Sequence, residues 1–168
     1  MKINKLISFI VSVCLLLIVS SCSSVSTKEK PMPEDFAFSI TWGAFGSSYY
    51  NSETGELIKK QDEQIQTTYF MDEEELEKVF NIFMYYKVHK LPEIIMSGFY
   101  HADPPGKYEI TLKYNEIEKV VSLPYGASLA ETFGLNAKRF ENALREVLAV
   151  IYESEEWKNL PPAKYLYS

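Results

Sequence analysis

Residues 107–123 read KYEITLKYNEIEKVVSL, and this stretch predicts the kind of sheet on which the fold is built. In its first half, large apolar or aromatic side chains alternate with polar ones, at Tyr108, Ile110, Leu112 and Tyr114. A period of two is typical of a strand with one buried face. The alternation stops at Asn115-Glu116 and resumes on the matching face up to Leu123. The stretch therefore predicts an antiparallel hairpin.

Three further strands are predicted before this hairpin. Residues 36–42, FAFSITW, alternate in the same way, with the aromatic and apolar side chains on one face. Tyr49 and Tyr50 lead into a turn at residues 52–55, SETG, after which Leu57 and Ile58 form the second strand. A third alternating run covers residues 65–69.

Two helices are predicted, one on each side of the hairpin. Asp72 followed by Glu75 is a capping-box pattern, and an apolar stripe follows it at helical spacing. We expect the second helix to begin with Asn136 as its cap and to bury a stripe from Phe140 to Ile151. The order is then β-β-β-α-β-β-α, which predicts an α+β fold: an antiparallel sheet of about five strands with both helices packed on one face.

The first 22 residues are typical of an export signal. Lys2 and Lys5 precede an apolar run, residues 6–19, whose 14 residues are fewer than the roughly 20 that a spanning helix needs. Residues 19–22, VSSC, then resemble the lipobox of bacterial lipoproteins. An ordinary secretory signal and an uncleaved membrane anchor are the alternatives.

The resemblance implies cleavage before Cys22 and attachment to a membrane through lipid on that cysteine. It predicts a signal peptide at 1–21, a lipidated flexible tether at 22–34 and a single α+β domain at 35–168. The expected location is the cell envelope: the outer membrane of a two-membrane bacterium, or the outer face of the cell membrane in a one-membrane bacterium. The domain's layout also resembles small exported lipoprotein domains without a known function, and it matches no characterised family.

Charge and cysteine content limit the possible partners and chemistry. Removing residues 1–21 takes away two lysines and no acidic residue, so the net charge falls from −6 to −8. An acidic domain is a poor partner for nucleic acid, and it suits either a basic protein partner or simple solubility. Cys22 is the one cysteine left, so neither a disulfide nor a cysteine metal site is expected.

The sequence contains none of the common catalytic motifs, including the P-loop, H-E-x-x-H, G-x-S-x-G and EF-hand patterns. We therefore predict no enzyme activity, no cofactor and no metal. The most irregular stretch is residues 95–106, IMSGFYHADPPG, a long connection of the kind that often carries function. Its candidate binding residues are Phe99, Tyr100, His101 and Asp103. A covered crossover is the alternative, and a third interpretation is an acid–base or metal-assisted hydrolase centred on His101 and Asp103.

Tyrosines near predicted loops suggest a second candidate surface, because a tyrosine offers a large contact area with a polar tip. Tyr49, Tyr50 and Tyr125 are predicted to form this aromatic patch. Together these features favour a lipid-anchored, non-catalytic envelope protein that binds or stabilises another envelope component. A specific alternative is an inhibitor of a basic cell-wall-degrading enzyme, since opposite charge favours that encounter.

Overall fold

The structure, a computed structural model, describes residues 31–60, 64–96, 103–127 and 134–161. The predicted signal peptide, Cys22, most of the predicted tether, and Phe99, Tyr100 and His101 lie outside these residues. Across the described ranges, no helix is long and apolar enough to cross a membrane.

Within the described ranges, six strands form one antiparallel sheet. They are β1 (Ala37–Trp42), β2 (Ser48–Asn51), β3 (Glu56–Lys60), β4 (Gln64–Thr68), β5 (Glu109–Tyr114) and β6 (Ile117–Ser122). The strands lie in the order β4-β3-β2-β1-β5-β6, so the first strand along the chain is central.

The α+β class is confirmed, and the prediction of about five strands was one too few. The strand that the sequence did not reveal is β2, which has only four residues. So short a segment shows too little alternation to be told from a loop. Pairing on both sides makes it a strand, since Tyr49 lies opposite Thr41 of β1 and Ile58 of β3.

The described part of the chain contains three α-helices and one short 3-10 helix. They are α1 (Glu73–Tyr85), the 3-10 helix (Val88–Lys90), α2 (Leu135–Glu153) and the short α3 (Glu155–Asn159). The capping box at the start of α1 is confirmed. The Asp72 carboxylate accepts from the Glu75 amide at 2.8 Å, and the Glu75 carboxylate accepts from the Asp72 amide at 3.1 Å. These two bonds satisfy backbone donors that the first helical turn leaves unpaired.

The predicted cap of the second helix was wrong. The helix begins at Leu135 and its cap is Gly134, so Asn136 lies inside the first turn. Gly134 has φ +96° and no side chain that caps the helix. The helix therefore starts at a residue with positive φ, which glycine adopts at little cost, in place of a polar capping side chain.

Ring contacts place both long helices on the same face of the sheet. Phe36 and Phe38 lie 5.1 and 5.6 Å from Phe80 and Phe83 of α1, measured between ring centroids. At the other end of β1, Trp42 lies 6.4 Å from Tyr152 of α2. The side chains of β1 that point to this face therefore pack against both helices.

The hairpin between β5 and β6 is secured by a residue far away in the sequence. Its two turn residues, Asn115 and Glu116, both have positive φ, at 48° and 62°. Asp35, just before β1, accepts from the amides of Asn115 and Glu116 at 2.8 and 2.7 Å. These bonds lower the pKa of the Asp35 carboxyl group, and the bond from Glu116 has the larger effect. The carboxylate thus stabilises a turn in which the second position lacks the usual glycine.

We expect Asp35→Asn to lower the melting temperature at pH 7 and to have little effect at pH 2. The native pKa is lower than that of the unfolded chain, near 3.9. The stabilisation is therefore complete above the unfolded pKa and disappears as the pH falls through the native one. Thermal melts of both chains between pH 2 and 7 test this. Glu34→Gln, one residue earlier, is the control, and a pH-independent gap between the Asp35 variant and the original chain would contradict the expectation.

Candidate functional site

Three loops meet at the end of the sheet where β1 ends and β5 begins. They are residues 43–47, 103–107 and 124–127, and we call them the loop junction. Backbone hydrogen bonds join them: the Phe45 amide donates to the Pro105 carbonyl at 2.7 Å, and the Lys107 amide donates to the Gly43 carbonyl at 3.1 Å. The Gly126 amide donates to the Gly106 carbonyl at 2.8 Å. The loops therefore form a hydrogen-bonded scaffold in place of three independent connections.

Gly106 lies at the centre of this scaffold because there is no room for a side chain. A Cβ atom there would lie 2.5 Å from the Tyr108 ring and 3.0 Å from the Ala127 carbonyl oxygen. Both distances are shorter than ordinary van der Waals contact. The absence of a Cβ atom lets the backbones of the second and third loops approach each other.

Phe45 is the outstanding residue of the loop junction. Its φ is +56°, a left-handed conformation that is strained for a bulky side chain, and 55% of its surface is exposed. Backbone strain of this kind costs on the order of 1–3 kcal/mol and is concentrated at functional sites. Burial of the ring does not offset this strain energy, because more than half of the residue is exposed to solvent. Phe45 is therefore the residue whose geometry most suggests a function.

Tyr125 adds a second exposed aromatic ring to the loop junction. It precedes Gly126 and is 62% exposed. Exposed aromatic side chains on a rigid scaffold are typical of binding loops. Asp103, the one residue of the candidate 99–103 cluster that the structure describes, is also exposed, at the start of the middle loop.

The predicted aromatic patch is not formed as proposed, because Tyr50 is buried. Its side chain has no exposed surface and its hydroxyl donates to the Tyr69 carbonyl oxygen at 3.3 Å. Burial raises the pKa of that hydroxyl. Tyr49, its neighbour in β2, points to the opposite face, where it is half-buried and accepts from the Asn51 amide group at 3.1 Å. Tyr125 remains exposed, but in the loop junction.

The 95–106 connection is described at its two ends. Ile95 is buried and its amide donates to the Ser122 carbonyl at 2.9 Å, which attaches the start of the connection to β6. Residues 103–106 belong to the loop junction. The pairing of His101 with Asp103 lies outside the described residues and remains a prediction. Among the described residues, no group of three or more potential ligands could hold a metal ion.

Sequence reasoning missed Phe45. Residues 43–48 read GAFGSS, and their two glycines indicate only that the preceding strand ends. The usable signal was a phenylalanine directly before Gly46 in a turn, a place where a large apolar side chain has no local reason to be. No protein-family model and no curated protein matches this chain.

Proposed function

We propose that this chain is a lipid-anchored, non-catalytic protein of the bacterial envelope that binds another envelope component through the loop junction. The observation that supports this most directly is Phe45, which is exposed and strained at once. A chain that needed only to fold would be more stable with glycine or asparagine at that position, since both tolerate positive φ. A bound partner would supply the burial that the ring lacks in the free protein.

The proposed location follows from the resemblance of residues 19–22 to a lipobox. Lipid on Cys22 would keep the domain at the outer membrane of a two-membrane bacterium or at the outer face of a single membrane. Two or more acyl chains make such an anchor stable, whereas one alone binds reversibly. The test is labelling with a fatty acid analogue in cells. Cys22→Ser is expected to lose the label, and label retained by that variant would contradict the anchor.

The expected partner has a basic surface. With a net charge of −8 after loss of residues 1–21, long-range attraction would favour encounter with a cationic protein. A basic cell-wall-degrading enzyme, inhibited by the encounter, is the specific form of this proposal. Association with such an enzyme should weaken as salt is raised, because surface charges are screened beyond about 10 Å at 0.1 M.

We expect Phe45→Asn to remove partner binding without destabilising the fold. The substitution relieves left-handed strain, so the melting temperature should stay the same or rise. A photo-crosslinking phenylalanine analogue at position 45 of the full chain in cells should trap a specific partner. Excess unlabelled chain should compete for that partner, and excess Phe45→Asn chain should not.

Phe70 offers the matched control. It is another exposed aromatic side chain, 64% accessible, and it lies against Gly55, the site at which the hairpin from β2 to β3 turns. The analogue at position 70 should not trap the same partner. Equal crosslinking from both positions would remove the support for the loop junction. A clear fall in melting temperature for Phe45→Asn would show instead that Phe45 is a structural residue.

A further inference from the structure

The sheet face opposite the helices contains a hollow of about 130 Å³, which we call the sheet-face depression. Ala37 and Ser39 of β1 form its floor, and Asn51 and Glu53 at the end of β2 form one wall. Ala37 has the smallest side chain of the lining, and only 6% of its surface is exposed. It lies opposite Lys113 in the register of β1 and β5, so a methyl group occupies a position where the neighbouring strand carries a long side chain.

The second wall comes from β5 and β6. Thr111 lies opposite Ser39, and Lys113 lies opposite Glu118, so these side chains point to the same face of the sheet. The Lys113 ammonium group donates to the Glu53 carboxylate at 2.7 Å, which joins the two walls. The lining therefore brings together two hydroxyl groups, two carboxylates and one ammonium group in a single concave surface. The Asn51 amide lies at its edge, where its oxygen accepts from the Glu53 backbone amide at 2.8 Å.

The size of the depression limits what it can hold. Pockets that enclose a whole small molecule measure roughly 300–1,000 Å³. At about 130 Å³ the depression suits one ring of a longer ligand that lies across the face. The side chains around it on this face are exposed or half-buried, as at Thr41, Tyr49 and Val120, which leaves space for the rest of such a ligand.

The lining also indicates a chemical class. Carboxylates accept hydrogen bonds, ammonium groups donate them, and hydroxyl and amide groups do both. This mixture matches a ligand that carries many hydroxyl groups. Two carboxylates accompany one ammonium group, which disfavours phosphate or other anionic ligands. Tyr49, hydrogen-bonded to Asn51, adds an aromatic side chain beside the depression, and such a ring packs well against the apolar face of a sugar.

We propose that the sheet-face depression binds one sugar residue of a neutral glycan strand. A merely solvated face is common in antiparallel sheets. The hollow at Ala37 and the convergence of donors and acceptors around it distinguish this face from an ordinary solvated one. The site is separate from the loop junction, so the protein would hold a glycan on one surface and a protein partner on another.

Titration of the full chain in detergent micelles with a tetrasaccharide of β-1,4-linked N-acetylglucosamine tests the proposal. Saturable binding of this neutral tetrasaccharide is expected. A tetramer of galacturonic acid has the same length but is negatively charged, and it should bind more weakly. Thr111→Val keeps the side-chain shape and removes one hydroxyl group, so it should weaken binding about fivefold, the loss expected for one hydrogen bond. Ala37→Leu fills the hollow and should abolish binding.

Thr67→Val is the matched control, since Thr67 is half-buried like Thr111 but lies opposite the buried Leu57, on the face of the sheet that packs against the helices. Its affinity should equal that of the original chain, and melting curves of every variant check that the fold is intact. Should Ala37→Leu fail to fold, the comparison of Thr111→Val with Thr67→Val decides. Absence of binding to the neutral tetrasaccharide, equal affinities for these two variants, or preference for the acidic tetramer would each overturn the proposal. Phe45→Asn should bind the glycan normally, which keeps this test independent of the proposed partner at the loop junction.

Discussion

Tyr50→Ala is expected to lower the free energy of unfolding by about 3–5 kcal/mol, the cost typical of removing a large aromatic side chain from a core. Tyr50 is fully buried, and its ring centroid lies 5.6 Å from those of both Phe38 and Tyr69. The substitution leaves a cavity between the sheet and the helices that the rigid strands on both sides of β2 cannot close. Urea unfolding of the full chain, with the m-value checked for constancy, measures the loss.

Tyr49→Ala supplies the control for this prediction, because it removes the same side chain one residue away. Tyr49 points to the open face and is half-buried, so we expect a loss of less than about 1 kcal/mol. The loss in free energy of unfolding for Tyr50→Phe should lie between those for Tyr49→Ala and Tyr50→Ala. This substitution removes only the hydrogen bond to the Tyr69 carbonyl. Similar losses for Tyr49→Ala and Tyr50→Ala would contradict the assignment of the two residues to opposite faces.

Gly106→Ala is expected to cost about 1–3 kcal/mol, the range for inserting an atom into a well-packed site. The new methyl group would lie within 3.0 Å of both the Tyr108 ring and the Ala127 carbonyl oxygen. Relief of the contact with the Ala127 carbonyl requires the second and third loops to separate, and this would disturb the hydrogen bond from Gly126 to Gly106. Gly106 follows Pro105, whose carbonyl accepts from the Phe45 amide, so the first loop would be disturbed as well. We therefore expect reduced stability together with weaker crosslinking from position 45.

A double-mutant cycle with Tyr108→Ala tests the cause of that loss. Removing the ring takes away the closest contact, so the double variant should lose less stability than the sum of the two single variants. Strict additivity would show that the cost of Gly106→Ala does not arise from this contact. Gly134→Ala makes a useful comparison. Among the described residues, no atom lies within 4 Å of a Cβ atom placed there, so the positive φ is the expected source of any cost.

Much of the fold could be predicted from the sequence because the relevant patterns are local. Alternation over 36–42 and 107–123 predicted strands with the correct buried faces, and Asp72 with Glu75 predicted the start of α1. The prediction failed where the signal was short or not local. Strand β2 depends on partners on both sides, and the start of α2 depends on the backbone conformation of Gly134.

The candidate site was predicted less well than the fold. Tyr125 was correctly expected near a loop and is exposed, whereas Tyr50 was placed on the surface although it belongs to the core. Two adjacent tyrosines in a four-residue strand offer no pattern that says which one faces the helices. Phe45 was overlooked because its exposure and its left-handed conformation are properties of the folded chain.

By itself, the sequence determined the main hairpin and the capped first helix, because residues a few positions apart specify these features. The order of such elements gave the α+β class, and the residue counts gave the acidic composition. The sequence also predicts an export signal and a lipid anchor at Cys22, which labelling in cells can test. Tertiary structure alone decided which tyrosine is buried, how Asp35 stabilises a turn 80 residues away, and which loops meet around Gly106. These features depend on register and close approach between distant segments. Such contacts form only when the whole core is buried, so no local pattern encodes them.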